Sequence, residues 1–490
     1  MKNDPLVPEK RSSRLAAFGP GLLFAGAAVG ISHLVQSTRG GAEFGVAAVF
    51  VVVASCLLKW PAFRFGPLYA AATGNSLLDG YRRRGRWTLV VFTLMTLAIC
   101  FTTLAAVTVV TVGLLINLVP AIGNVLKGMP LPGGEGLEVA WASVMLLVLI
   151  GVALGTGGYR LLERIMKFVM PVLAICTIVA MAIAIPGILN QDWPLLPDVT
   201  QDSSRSLLAA LVGWMPAPID IAVWSSLWTL AKMRTDRSRN RLRPILFDFD
   251  VGYVGTMVLA VCFVILGATV MYGSGESFSN NAPDFGRQVV DLYANHLGEW
   301  TRPIVATAAF LAMLSTTVTV ADGFPRALAG IVAAAFGPIR PTREEQDPSV
   351  VPGALRHVIA SAMGKNGDED AEKDAHLDAQ KDQGSEGRRF SYWIAFILVA
   401  TGAGFILFRV ATEDFKRLID LVTITSFVIA PVLVLFNHLS VTGREVPMSF
   451  RPGFIWRGWS WLCFVVTLVF ALWYLLDRAG LLQLGSAAGG

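Results

Sequence analysis

This 490-residue sequence specifies an all-α integral membrane protein, and three features lead there. Hydrophobic residues make up 54% of the chain and charged residues 15%, too little charge to clothe a soluble domain of this size. Apolar runs of about 18 residues or more, each long enough to cross a bilayer, recur along the whole length. Lysine and arginine gather in alternate connections between those runs, as a chain that threads back and forth requires. A large soluble α/β core is excluded on the same grounds, and the arginine clusters need no nucleic-acid partner because the alternation accounts for them.

Residues 1–18 form a cytoplasmic N-terminal segment with a few basic residues. No small-residue cleavage site closes the apolar run that follows, which is therefore the first span and not a removable signal. Eleven spans are drawn at 19–38, 46–66, 88–115, 138–156, 165–187, 207–230, 251–273, 303–324, 391–409, 418–438 and 457–476. Lys2, Lys10, Arg11 and Arg14 precede the first. Arg82, Arg83, Arg84 and Arg86 follow the second; Arg160, Arg164 and Lys167 the fourth; Lys232 and the arginines from Arg234 to Arg243 the sixth. The N-terminus is thereby expected in the cytoplasm and the C-terminus outside, in a multi-pass protein of the cell inner (plasma) membrane. The connection at 325–390 divides in two. Val351 to Ala360 suits a short interfacial helix, and GDEDAEKDAHLDAQKDQGSEGRR is too polar to pack and is expected to be mobile, with His357 and His376 on the surface. Cys56, Cys100, Cys176, Cys262 and Cys463 fall within apolar runs and read as packing residues.

Two spans carry residues that break helices. The first contains Gly26-Ala27-Ala28-Val29-Gly30-Ile31-Ser32-His33 at its middle, and the sixth contains Gly213-Trp214-Met215-Pro216-Ala217-Pro218-Ile219-Asp220. Pro216 and Pro218 remove two backbone donors and clash with the preceding turn, so the sixth span should be interrupted there. Close helix packing is the plainer use of Gly26 and Gly30. If residues 19–187 and 207–438 are two five-helix units, however, the two interruptions occupy corresponding positions. That is the sequence pointer to an inverted-repeat transporter with its site at the breaks. A break exposes carbonyls on one half-helix and amides on the other, which suit cations and anions respectively. His33 and Asp220 add a titratable group beside each break; a satisfied histidine and a helix-cap carboxylate are the alternatives.

The runs GPGLLFAGAAVGISHLVQSTRGGAEFG, GTGGYRLLERIMKFVM and LVGWMPAPIDIAVWSSLW resemble the first, fourth-to-fifth and sixth transmembrane regions of the Nramp family of divalent-metal transporters, with the likeness covering most of residues 15–440. The resemblance implies a LeuT-type fold of the APC superfamily: an inverted repeat of 5+5 helices plus an eleventh transmembrane helix at 457–476. It also implies secondary transport by alternating access, commonly proton-coupled uptake of manganese or iron. The family's functional motifs differ here. Its first-span Asp-Pro-Gly-Asn aligns with Gly30-Ile31-Ser32-His33, its sixth-span Met-Pro-His with Ala217-Pro218-Ile219, and a further histidine with Trp224. Gly30, Ala217 and Ile219 offer no side-chain donors, so the usual metal site is expected to be altered, with no metal assigned.

The expected substrate site is Gly30, His33, Trp214, Ala217 and Asp220, with Gly26, Gly30, Pro216 and Pro218 as the helix breaks. Ser315, Thr316, Thr317 and Thr319 are coupling-ion candidates, because hard oxygen donors suit sodium; hydroxyls bonded back to their own turn would look the same in sequence. Proton coupling through His33 and Asp220 stays open beside sodium, since Trp87 to Val119 and Tyr392 to Leu407 hold no acidic residue or histidine. Lys59 and Arg64, near the inner end of the second span as drawn, read either as headgroup anchors or as lining of an inner vestibule. Asp322 is an entrance residue or a cap. No cofactor is firmly implied, and the partners are the lipid bilayer and a small solute or ion. No HExxH or GxSxG motif suggests an enzyme. The alternatives are a divalent-metal transporter with a rebuilt His33/Asp220 site, or a non-transporting membrane sensor or structural protein.

Overall fold

The computed structural model describes residues 19–128, 137–188, 193–194, 196–235, 242–272, 282–339, 342, 367–410 and 415–479. Val351 to Ala360 and His357 lie outside the described residues, as does the segment 1–18. Among those described, nine helical stretches are long and apolar enough to cross a membrane.

The first crossing, Pro20–Phe44, is composite. Helix α1 (Pro20–Ala28) opens on a proline, whose missing N–H would have had no partner in a first turn. A π-helical stretch (Ile31–Ser37) follows the interruption and runs into α2 (Thr38–Phe44). Helix α3 (Ala47–Thr73) returns across the membrane, the short α4 (Leu77–Arg84) is fastened by a capping box between Ser76 and Asp79, and α5 (Arg86–Leu118) crosses again before α6 (Pro120–Gly128).

Helix α7 (Glu138–Ile188) has 51 residues. Straight, it would reach about 75 Å, more than twice a hydrocarbon core of about 30 Å. At Gly158 the backbone adopts φ 52°, ψ −150°, a region that glycine tolerates and side chains resist, so α7 is two helices meeting at a kink. Helices α8 (Asp202–Trp214) and α9 (Ile221–Thr235), of 13 and 15 residues, are each too short to span alone and together make one broken crossing. Of the nine stretches, α7 with its 51 residues is long enough for two crossings, and besides them the α8/α9 pair is long enough for one more.

The remaining helices are α10 (Leu242–Met271), α11 (Ala282–Leu297), α12 (Arg302–Phe336), α13 (Gly367–Val410), α14 (Phe415–Val441) and α15 (Phe454–Arg478). The polar stretch from Gly367 belongs to the first half of α13 and is helical; it holds no proline and includes several strong helix formers. One expectation is corrected. The second span runs on to Thr73 with Pro61 and Pro67 inside it, which places Lys59 in mid-helix and not at an inner end.

The core forms around α1, α5, α10 and α12. Helix α12 packs against α5, α7 and α13, and α10 packs against α1, α2, α3 and α7. Small residues permit the close crossings: a methyl group on Gly21 would meet the Asp248 carbonyl of α10, and one on Gly66 would meet the Ala222 carbonyl of α9. Phe24, Phe63, Phe249 and Tyr253 interlock α1, α3 and α10 on one side of the first interruption. Helix α15 lies against α14 and α3 with much of its surface outward.

Candidate functional site: two interrupted crossings

The first interruption falls at Val29 and Gly30. Val29 N–H closes the last turn of α1 onto Ala25 O, and Gly30 leaves helical geometry at φ −89°, ψ −116°. Carbonyls freed there are taken up by hydroxyls. Thr316 Oγ1 donates to Gly26 O at 2.8 Å, Ser315 Oγ reaches the same oxygen at 3.4 Å, and Ser32 Oγ contacts Ala28 O. Gly30 packs directly on Thr316, where any side chain would overlap it. Gly26 has a packing role as well, since a methyl there would collide with Met166 Sδ at 2.5 Å.

The second interruption runs from Met215 to Asp220. Met215 N–H caps α8 on Leu211 O, the chain passes extended through Pro216 and Pro218, and α9 resumes with Val223 N–H on Asp220 O at 2.9 Å. Asp220 is buried at the head of α9, its carboxylate facing the backbone amides of Asp220 and Ile221. It stands where a helix-capping carboxylate stands, on the side of Tyr81 and Cys100.

His33 turns the other way. Its Nε2–H donates to Thr256 O on α10 at 2.8 Å, and Nδ1 lies 2.7 Å from Ser32 Oγ. Thr256 offers a carbonyl, so Nε2 must carry a proton, and both ring nitrogens are engaged. Among the described residues no hydrogen bond or ion pair joins His33 to Asp220. Trp214, Ala217 and Trp224 are buried, and among the described residues the indole N–H groups of Trp214 and Trp224 have no acceptor.

The four hydroxyls of α12 separate. Ser315 and Thr316 face the first interruption; Thr317 Oγ1 pairs with Thr111 Oγ1 of α5 at 2.7 Å; Thr319 bonds back to Ser315 O and Thr316 O in its own turn.

Beyond the second interruption a cavity of about 640 Å³ opens beside the far end of α9, lined in part by Asp79, Tyr159, Arg234, Asp322, Arg326 and Tyr392. Asp322 is its hub: it pairs with Arg326 at 2.6 Å and accepts from Trp228 Nε1 and the Tyr392 hydroxyl. Asp322 therefore lines the cavity and is bonded to three of the side chains around it. On the opposite face Arg39 of α2 pairs with Asp420 of α14 at 3.0 Å, and Ser204 of α8 donates to Glu43 of α2 at 2.5 Å.

The roles of two side chains were missed in the sequence. Asp248 of α10 accepts the N–H groups of Gly19 and Gly21, fixing the start of α1, and its only signal was a carboxylate near the end of an apolar run. Lys59 is buried and points at the end of α8, so neither reading of it as an anchor or as vestibule lining holds. Arg64 instead pairs with Asp250, beside Trp60 and over the Trp456 ring.

Residues 21–337 match the family described as Natural resistance-associated macrophage protein-like, Nramp. An uncharacterized protein of Pasteurella multocida (strain Pm70) is 35% identical over 319 residues, covering 64% of this chain and 70% of that protein. The divalent metal cation transporter MntH of Brucella suis biovar 1 (strain 1330) is 24% identical over 366 residues, 71% of this chain and 74% of that one. The Eremococcus coleocola manganese transporter, crystallised with an aromatic bis-isothiourea substituted compound, shares the fold at a TM-score of 0.62 and 17% identity, across 99% of this chain and 91% of its own. The architecture is all-α, multi-span and LeuT-like, as in these solved structures.

Proposed function

The chain belongs to the natural resistance-associated macrophage protein-like (Nramp) family, and from that membership we propose that it is a secondary transporter moving a small solute or ion by alternating access, with the family's manganese/iron site altered. The observation that carries this reading is the pair of buried interruptions, at Val29–Gly30 and Met215–Asp220, inside crossings that would otherwise be continuous. Irregular backbone at membrane depth survives only where protein or a cavity satisfies it, and in carriers such half-helix ends hold the cargo. The asymmetry of the molecule supports alternation: a cavity on the side of Asp322, ion pairing and hydrogen bonding on the side of Arg39.

In this reading Gly30 and Ala217 contribute space and main-chain dipoles, and Trp214 and Asp220 contribute donors and charge. Residues 19–187 and 207–438 act as the two five-helix units, with the crossing at 457–476 outside them. The N-terminus faces the cytoplasm and the C-terminus the exterior, and the host is the plasma membrane. The loss of carboxylate and thioether at Gly30 and Ala217 removes the charge compensation and the soft ligand a transition metal needs. Among the described residues no three His, Cys, Asp or Glu side chains converge as a metal site, and the engagement of both His33 nitrogens argues against a rebuilt His33/Asp220 centre.

One observation favours sodium as coupling ion. Ser315 and Thr316 already meet at Gly26 O, where hydroxyl and carbonyl oxygens would need only to part around a small hard cation. The test is reconstitution into liposomes and a flux screen of divalent metals, alkali ions and small organic solutes, with and without a sodium gradient. Saturable flux of a solute other than manganese or iron supports the proposal. Specific binding with no flux of any solute favours a sensor, and robust manganese uptake restores the ordinary family function.

A further inference from the structure

Lys59 occupies a setting that the transport reading leaves unused. It sits midway along α3 and is 1% exposed. Its Nζ donates to Val212 O, to Gly213 O at 2.7 Å and to Met215 O at 3.0 Å. Three ammonium protons meet three carbonyls, so its donor capacity is fully used. Those carbonyls form the C-terminal end of α8, where the helix leaves its last oxygens without amide partners and concentrates the negative end of its dipole.

Among the described residues no carboxylate pairs with Lys59, and the titratable groups whose fields reach it are the thiols of Cys56 and Cys463. An unpaired cation inside a bilayer is costly, and backbone carbonyls are among the few partners that stabilise it. The cluster is therefore a cation site with its cation built in: a compact point charge on a tether from α3, seated on the end of a broken helix that would otherwise attract a free one.

We propose that Lys59 is a tethered cation that fills the carbonyl end of the second interruption and so excludes a transported cation from it. The proposal rests on the reading that the two interruptions frame the cargo path, and it makes Lys59 a specificity-determining residue. A cationic cargo or coupling ion is left with the oxygens around Gly26 alone. Cargo at the second interruption meets the amide head of α9.

The test is cation-dependent melting of the purified full-length protein in detergent, at constant ionic strength, with N-methylglucamine chloride as baseline and sodium, potassium or propylammonium chloride as probes. Wild type should show no response that maps to this site: propylammonium, too large for the oxygens around Gly26, should leave its melting temperature unchanged. Lys59→Ala should melt lower and regain on the order of 3 °C, saturably, with propylammonium. Lys59→Met keeps the stem volume, removes the charge and fills the vacated space; it should melt below Lys59→Arg and gain nothing from propylammonium. It carries the result if the alanine variant aggregates. A folded Lys59→Ala protein indifferent to propylammonium, or a Lys59→Met protein as stable as wild type, overturns the proposal. The readout is equilibrium binding, so a chain that moves nothing in liposomes sinks the transport reading while this result stands separately.

Discussion

Gly30 is wedged against α12, and the consequence of filling that wedge can be worked out. A methyl group at Gly30 would lie 2.6 Å from Thr316 Cβ and 2.7 Å from Thr316 Cγ2. Overpacking of this kind costs about 1–3 kcal/mol. Pushing Thr316 aside also strains its 2.8 Å hydrogen bond to Gly26 O, worth about 1 kcal/mol. Gly30→Ala should therefore destabilise the protein by about 2–4 kcal/mol. At this chain length that corresponds to a fall in melting temperature on the order of 3–6 °C. Thr316→Ala removes Oγ1 and Cγ2, so Gly30→Ala should cost at least about 1 kcal/mol less in that background. The assay is tryptophan-fluorescence melting of the four proteins of the cycle at one scan rate. An unchanged melting temperature for Gly30→Ala, or an equal penalty in both backgrounds, would refute the packing described at the first interruption. The same geometry predicts that Gly30→Asp, which returns the family's carboxylate, does not by itself create a manganese site.

Two further outcomes follow from buried polar groups. His33→Ala leaves Thr256 O without its donor and should lower stability by about 1–3 kcal/mol; if His33 also serves the cargo, the affinity for a solute found in the flux screen changes with it, and an unaltered affinity assigns the ring to structure alone. Asp322→Ala strands the Arg326 guanidinium and the Trp228 N–H, a loss of about 3 kcal/mol in thermal melts. Asp322→Ala/Arg326→Met should recover part of that loss, and a double variant no more stable than the single one contradicts the pairing at the cavity.

Much of the architecture could be read from residue order because a bilayer leaves few choices. Apolar run length set the crossings, and Gly26 to His33 and Met215 to Asp220 announced the interruptions through proline geometry and misplaced polarity. The fourth and fifth spans were drawn to end at 156 and resume at 165, and Gly158, where φ turns positive inside one continuous helical stretch, lies in that gap. For the polar segment from Gly367, low hydrophobicity argued against packing and left helix formation open. At the site, residue type located His33 and Asp220 beside the interruptions but not the direction in which they point, which depends on Thr256 of α10 and on the head of α9. Lys59 was misplaced because its span was drawn seven residues short of its end at Thr73, turning a mid-membrane cation into an apparent anchor.

The most direct check is calorimetric titration of the purified chain with manganese. With Gly30 and Ala217 in place of the family's ligands, no saturable heat is expected through the millimolar range, whatever solute the liposome screen identifies. One-site manganese binding at micromolar affinity would contradict an altered site and return the protein to ordinary divalent-metal transport.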